Sequence, residues 1–275
     1  MKRVDVVVLN WNGWRDTLGC IASLQKLEYP NFSLIVVDNG STDGSAEHLL
    51  RHQPGLELLQ TGANLGFGGG CNVGIRKALE RGADYVWLIN SDATVDPQAL
   101  SKMVAVAEQN PAVGAVGSVL YEVAPADQVQ LWGGGKVQLW RGGSRHQRQP
   151  AELDFVSGAS LLLRREALQA IGLFDEQSFF MYWEDTDLGF RLRQAGWRLA
   201  VAAGSRVWHQ QSASLGQGSP LLDEYFTRSG VRFLRRHAPL PWFSVSVMVG
   251  LMLLKRLFAG QLARVRAVIK GVAQS

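Results

Sequence analysis

Cysteine is nearly missing from this chain: Cys20 and Cys71 are the only two in 275 residues. They form no C-x-x-C and no metal-type spacing, which excludes a disulfide framework and a thiolate metal site. Both read as packing residues in a reducing compartment. No apolar run reaches the ~20 residues of a confident bilayer span. The opening Met1-Lys2-Arg3 resembles a signal n-region, but Asp5 and Asn10 interrupt the apolar run behind it, so the segment reads as a first strand of a protein that is not exported. No G-x-G-x-x-G comes after that strand and no Walker-type lysine after any glycine loop, which argues against dinucleotide and P-loop sites. Acid is missing from the end of the chain. Beyond Glu224 there are nine Lys/Arg and no Asp or Glu, while the first 224 residues carry 19 basic against 24 acidic. An acidic body with a basic tail argues against a nucleic-acid binder and suits a soluble domain whose end meets an anionic surface.

What is present is alternation. Val4–Leu9, Ser33–Val37, Leu56–Gln60 and Tyr85–Ile89 read as strands, each followed by a helical segment. The first is apolar on both faces, as in a covered parallel sheet. The expected class is α/β, a mostly parallel central sheet flanked by helices. A helix to Gln109 and a strand from Val113 to Val119 continue it. Val-Gln-Leu-Trp occurs at 129–132 and again at 137–140 around Gly133-Gly134-Gly135, which reads as a hairpin with a loose turn. Arg141, Arg145, His146 and Arg148 then read as a lid or a solvated loop. Phe155–Leu163 reads as one strand interrupted at Gly158. Domain limits are placed at 1–222 for the α/β body and 223–275 for a helical tail. In that tail Leu254, Leu257, Phe258, Leu262, Val265 and Ile269 form an apolar stripe beside Lys255, Arg266 and Lys270. It fits an amphipathic helix on an anionic membrane surface, or one packed on the core or on a second subunit of a homodimer.

Ligands of such sheets sit at the carboxyl ends of the strands. Three of those ends are rich in Asn and Asp: Asn10 with Asn12, Asp38 with Asn39, and Asn90 with Asp92. They are expected to line one crevice. A carboxylate at Asp92 suits Mg²⁺ or Mn²⁺ shared with substrate phosphates. The glycines at 66, 68, 69 and 70 allow close backbone approach ahead of a helix N-terminus. Phe179 to Leu192 places three carboxylates, Glu184, Asp185 and Asp187, behind an aromatic run, with Asp185, Leu188 and Leu192 on one helical face. They serve as helix-start acids or as a general base. Trp183 and Trp132 are candidates for stacking on sugar rings or for core packing. Arg228 and Arg232, four apart, suit a diphosphate clamp or a solvated helix face.

These segments together carry a resemblance. Val-Val-Leu-Asn-Trp-Asn-Gly (7–13), Val-Val-Asp-Asn-Gly-Ser-Thr-Asp-Gly-Ser (36–45), Asn-Leu-Gly-Phe-Gly-Gly-Gly-Cys-Asn-Val-Gly (64–74), Leu-Ile-Asn-Ser-Asp (88–92), Val-Ser-Gly-Ala (156–159), Gly-Leu-Phe-Asp-Glu (172–176), Phe-Phe-Met-Tyr-Trp-Glu-Asp-Thr-Asp-Leu (179–188) and Val-Trp-His (207–209) resemble the family 2 glycosyltransferases. The match runs in order over about residues 4–236. The nearest branch is the bacterial rhamnosyltransferase-like group that builds cell-surface polysaccharides. The resemblance implies a GT-A fold and inverting, metal-dependent transfer from a nucleoside-diphosphate sugar, a dTDP- or UDP-sugar, to a saccharide or lipid-linked acceptor. It implies a cytoplasmic enzyme, peripheral on the inner face of the cell membrane. By position Asp38 would contact the base, Asn64 and Gly66 the nucleotide with Asn10, Asn12 and Asn90 nearby, and Asp92 the Mg²⁺ or Mn²⁺. Asp185 would be the general base, Glu184 its neighbour orienting base or acceptor, and His209 a further metal or diphosphate contact. Gly158, Trp183 and Arg228 are candidates for acceptor or diphosphate contact. The family's D-x-D is here Asn90-Ser91-Asp92, so one carboxylate, not two, is offered to the ion. Two other readings stay open: a catalytically silent sugar-nucleotide binder in a membrane assembly, and a sugar nucleotidyltransferase. The latter should carry an Arg-containing glycine loop after the first strand, where this chain has Asn10-Trp11-Asn12-Gly13-Trp14.

Overall fold

A computed structural model describes residues 1–126, 128–210 and 219–275. The first half alternates as expected: β1 (Val4–Asn10), α1 (Trp14–Leu24), β2 (Phe32–Asp38), α2 (Ser45–His52), β3 (Glu57–Gln60), α3 (Gly66–Glu80), β4 (Tyr85–Asn90), β5 (Ala93–Val95), α4 (Ala99–Gln109) and β6 (Val113–Tyr121). Next come β7 (Val129–Trp132), β8 (Gly134–Gln138), β9 (Gly143–His146), β10 (Phe155–Val156), β11 (Ser160–Arg164), α5 (Arg165–Ile171), α6 (Glu184–Gln194) and β12 (Arg198–His209). The chain closes on α7 (Pro220–His237), α8 (Pro241–Phe258) and α9 (Leu262–Ala273).

The main sheet runs β3-β2-β1-β4-β11-β6-β12-β5, with β7 also on β6. Its first four strands are parallel, and β11 inserts antiparallel between β4 and β6. Parallel pairing is therefore confined to the β3–β4 half and to β6 with β12. In β1, Val4, Val6 and Val8 face a core shared with α1, α2 and α4. Val7 faces the opposite core with Ile75 of α3 and Leu188 of α6. Burial on both faces is what its unbroken β-branched run required.

The Val-Gln-Leu-Trp repeat does not form a hairpin. Its first copy, β7, pairs with β6; its second overlaps β8, which pairs with β9 and β10 in a separate three-stranded sheet. The glycine triplet is the crossing between sheets. A Cβ at Gly134 would fall on the carbonyl of Phe155, and Gly133 accepts from the N–H of Ser157. Small size at 133–135 serves close backbone passage, so the glycines that suggest a turn mark a crossing instead. The basic segment expected as lid or loop contains β9, and Phe155–Leu163 splits at Gly158 into strands of two sheets.

The tail shares a core with the body. Phe179 and Trp183, from the loop before α6, are buried among Val231, Phe233 and Leu234 of α7 and Met248 of α8. Trp183 stacks on Phe233 at 4.7 Å between centroids. The single stripe expected across 254–269 is interrupted at Gly260 (φ +66°), where α8 ends and α9 turns back. Asp223 ties the three helices together, accepting from Arg256 at 2.9 Å and Arg264 at 2.6 Å. Full burial of an aromatic contributes about 3 kcal/mol, and its removal leaves a cavity as well. Phe233→Ala is therefore expected to cost ~3–5 kcal/mol. Urea denaturation checks this; a loss under about 1 kcal/mol would mean that the tail is not part of the cooperative core.

Candidate active site

The strand-end residues converge. Asn10, Asp38 and Asn90 are the last residues of β1, β2 and β4; Asn10 pairs with Asp38 and Asn90 with the adjacent Leu9. Buried Asn10 donates to Asp38 Oδ1 (2.7 Å) and to Ser41 (3.1 Å), and accepts from Thr17 (2.9 Å). Ser41 also donates to Asp38. Asn12, with φ at +53°, accepts from the N–H of Thr42 at 2.8 Å. One Asp38 oxygen is thus fixed by Asn10 and Ser41, which orients the carboxylate at the mouth of β2.

The glycine-rich segment corrects one expectation. The N–H groups that open α3 are already occupied: Leu65 donates to Asn39, Gly66 to Asn64, and Phe67 to the carbonyl of Phe180. A Cβ at Gly66 (φ +76°) would fall on that same Phe180 carbonyl. Gly70 and Gly74 let α3 press on Leu9 and Val7, and Gly68 faces Phe174 and Glu184. The run therefore packs a helix on the sheet and docks the loop that carries the acidic pair. Asn39, also donating to Asn64 (3.1 Å) and Gly66 O (3.0 Å), organises the turn.

The acidic stretch opens α6 as expected. Tyr182 and Trp183 precede it with φ of +65° and +68°, strained for non-glycine residues. Asp185 accepts from the N–H of Gly158 (3.0 Å) and from the hydroxyl of Thr186 (3.1 Å). The residue after Gly158, Ala159, accepts from the N–H of Asn90 at 3.1 Å. This short chain of contacts fixes the base candidate beside the strand end that leads to Asp92: both acids lie at the same end of the sheet. Gly158 thus holds Asp185 in place. Burial raises the pKa of both acids of the pair, and the Asp185 charge pushes Glu184 further up. Burial pushes Glu184 up to about 8, and one of its oxygens has no hydrogen-bond partner among the described residues. Asp185 has two donors, the Gly158 N–H and the Thr186 hydroxyl, which favour its ionised form. Glu184, with no donor on its second oxygen, is the acid of the pair that holds a proton at neutral pH, while the donors on Asp185 favour its charged form against burial.

A raised carboxyl pKa in the fold means that the native state holds a proton the unfolded chain has released. Stability then falls as pH rises from Glu184's ordinary 4.5 toward its folded value. Glu184→Gln should flatten that part of the stability–pH curve by up to about 1.4 kcal/mol per pH unit. Parallel curves from urea denaturation between pH 5 and about 8 would refute the protonated assignment.

Asp187, the third acid, is fully buried and does not face the crevice. It binds Arg191 (2.7 Å), Arg236 (3.0 Å) and His237 (2.8 Å), clamping α6 to α7. These partners hold its carboxyl below the usual range despite burial. Trp183, expected as a sugar platform or a core residue, is the latter: 4% exposed and closed in by Phe226 and Phe233. Trp132 lines an open groove of about 610 Å³ with Leu153, Trp197 and Leu199, past the other end of α6 from Asp185. Arg232 is turned to the carbonyls of Ser178 and Gln274. Arg228 stacks on Tyr225, which meets Phe180 beside the Gly66 turn. Its Nε is buried without a partner among the described residues.

At the end of β12, His209 Nε2 lies 3.3 Å from Asp92 Oδ1 and 3.1 Å from the Asn90 amide. Its Nδ1 is 2.9 Å from Gln130 Oε1, while Gln130 Nε2 donates to Glu122 and to the His209 carbonyl. That assignment makes Nδ1 the protonated nitrogen and leaves the Nε2 lone pair, which accepts from the Asn90 side-chain amide, beside Asp92. Two cis ligands at ~2.1 Å from one ion stand about 3.0 Å apart, close to the separation found. The donor set therefore fits a divalent cation. Among the described residues no group of three His, Cys, Asp or Glu forms a metal cluster, so the other positions would fall to substrate phosphate and water. Nothing in the sequence singles out Gln130; only the fold brings it to His209.

Comparison with known proteins agrees with this geometry. Residues 5–172 match the sequence profile of glycosyl transferase family 2. The chain is 32% identical over 223 residues, 72% of each chain, to an N-acetylglucosaminyl-diphospho-decaprenol L-rhamnosyltransferase of Mycobacterium tuberculosis. Its fold matches a mannosyltransferase of Pyrobaculum calidifontis solved with GDP-Man and Mn²⁺ (TM-score 0.62, 18% identity, 99% of this chain and 76% of that one). It also matches residues 1–349 of S. aureus TarS with UDP-GlcNAc (TM-score 0.64, 17% identity, 99% and 81%). The alternating half-parallel sheet, the acids gathered at its carboxyl edge, the family profile over residues 5–172 and the 72% coverage by a rhamnosyltransferase lead to one conclusion: the chain is a glycosyltransferase, with a GT-A fold, and belongs to family 2.

Proposed function

We propose that the enzyme transfers a hexose of the rhamnose type, with inversion, from a dTDP- or UDP-sugar to a hydroxyl of a lipid-linked saccharide. The observation that carries the reading is the placement of Asp92 and Asp185 at one end of the sheet, joined through Asn90, Ala159 and Gly158. Asp38, fixed by Asn10 and Ser41, accepts from an N–H of the base; Asn12, Asn64 and Gly66 shape the nucleotide's seat. Mg²⁺ or Mn²⁺ held by Asp92 and His209 would neutralise the charge gathering on the departing diphosphate. Arg228, over Tyr225 on the Gly66 side of the crevice, would add a positive charge toward the diphosphate. Asp185 takes the proton of the attacking hydroxyl, and the Gly158 N–H keeps its oxygen aimed at that proton. Glu184, protonated, leaves a single charged base in the crevice, which suits one in-line displacement. The lipid-linked acceptor is supported by the decaprenol-linked substrate in the name of the mycobacterial relative.

The intact acidic pair argues against a silent binder, and the strand-end loop at Asn10–Gly13 against a nucleotidyltransferase. Thermal shift with dTDP-, UDP- and GDP-sugars, with and without Mn²⁺, tests the donor reading. A Mn²⁺-dependent rise in Tm with one nucleotide class is expected. No shift with any of them would overturn it.

A further inference from the structure

α8 has two dissimilar sides. One packs on the body through Ser244, Val245 and Met248. The other exposes Trp242 (66%), Phe243 (56%), Leu251 (45%), Leu254 (51%), Leu257 (51%) and Phe258 (89%). At 100° per residue these fall within half the helix circumference. The seventeen residues between His237 and Lys255 carry no charge. Leu262 and Ile269 of α9 are also exposed. Scattered apolar residues need no explanation; a continuous uncharged helix face does.

The charge around this face is of one sign. Arg256 and Arg264 are spent on Asp223, and Lys270 on Glu224. Lys255 and Arg266 are exposed beside the apolar side, and Arg235 lies over Trp242 at 5.1 Å. No acid occurs after Glu224 to pair with them. A second copy docking here by two-fold symmetry would set like charges together. A bilayer with anionic headgroups meets both the apolar face and its cations. Ser244, Val245 and Met248 give one side of α8 to the body, so the helix is placed to lie in the interface and not to cross it. The tip of the β8–β9 hairpin joins this surface. Gly142 packs against Leu234 and Met248, leaving no room for a Cβ, and Trp140 beside it is 59% exposed.

We infer that α8, the start of α9 and the β8–β9 tip form a platform that seats the enzyme on an anionic membrane surface. The consequence for the site rests on the acceptor reading above. α7 lies between the platform and the loop carrying Trp183, so the acid pair stands close to the headgroups, where a lipid-linked hydroxyl arrives.

Flotation of the full chain tests this with vesicles of phosphatidylcholine, alone or with one third phosphatidylglycerol. The chain should float with the anionic vesicles and partition roughly tenfold less onto the neutral ones. Leu254→Glu with Phe258→Glu should abolish flotation, with Tm and the donor-induced thermal shift unchanged. Lys255→Glu with Arg266→Glu should erase the preference for phosphatidylglycerol. Wild-type chain that stays unbound, or a doubly acidic variant that floats as well, overturns the platform. So does a wild-type dimer in sedimentation that the acidic variant breaks, since a second copy would then be the occupant. Loss of the donor shift in the wild type would instead sink the nucleotide-sugar reading and leave the flotation result standing.

Discussion

Asp185→Asn is expected to lower transfer by ~10²–10⁴-fold, the range over which a positioned general base contributes. The substitution keeps the size of the side chain: its amide oxygen can accept from Gly158 while its NH2 donates to the Thr186 hydroxyl, so the N-terminus of α6 should hold its place. What it removes is the capacity to take a proton. Donor-induced thermal shift should survive, because Asp38, Asn12 and the Gly66 turn are untouched. Loss of both transfer and donor binding would make Asp185 structural. The pH profile gives a second reading. Burial lifts Asp185 above its ordinary carboxyl value, and only the ionised form works, so turnover should fall as pH drops through that raised value. An acid limb at an unperturbed carboxyl position would contradict the enclosure on which the base assignment depends.

Asp92→Ala should act differently, cutting turnover by about 10³-fold and weakening donor binding together. It removes the single carboxylate facing His209, so the Mn²⁺-dependent part of the donor thermal shift should vanish while any metal-independent part remains. Gln130→Leu should reproduce a milder version, ~10–100-fold in Mn²⁺ affinity, because His209 would lose the partner that fixes its protonated nitrogen. Isothermal titration with Mn²⁺ and nucleoside diphosphate separates the two. Undiminished Mn²⁺ affinity in Asp92→Ala would place the ion elsewhere.

Much of this is legible in the residues because local and global demands agree. The β-branched run at Val4–Leu9 can only be comfortable between two layers, and the Asn and Asp that end β1, β2 and β4 have nowhere to point but the carboxyl edge. Glu184 and Asp185 open a helix in the sequence pattern and in the structure. What escapes a sequence reading involves partners distant in the chain. The role of Gly133–Gly135 depends on Phe155 and Ser157, so a hairpin turn is only the local appearance of a crossing between sheets. The glycines of α3 suggest an open phosphate cradle; their room is taken by Val7, Leu9 and Phe174, and the first N–H groups by Asn39, Asn64 and Phe180. Trp183 and Asp187 sit within the acidic motif, yet α7 converts one into core and the other into a clamp. Gln130 carries no signal, since its function exists only where β7 passes the end of β12.

Catalysis as proposed requires one crevice in which a single ionised aspartate serves one displacement. The configuration of the anomeric carbon, read by NMR of the first product formed with the donor that the thermal screen selects, tests this most directly. An anomer opposite to that of the donor is predicted. Retained configuration would demand a second displacement that a lone base at Asp185 does not provide, and would contradict the proposed mechanism.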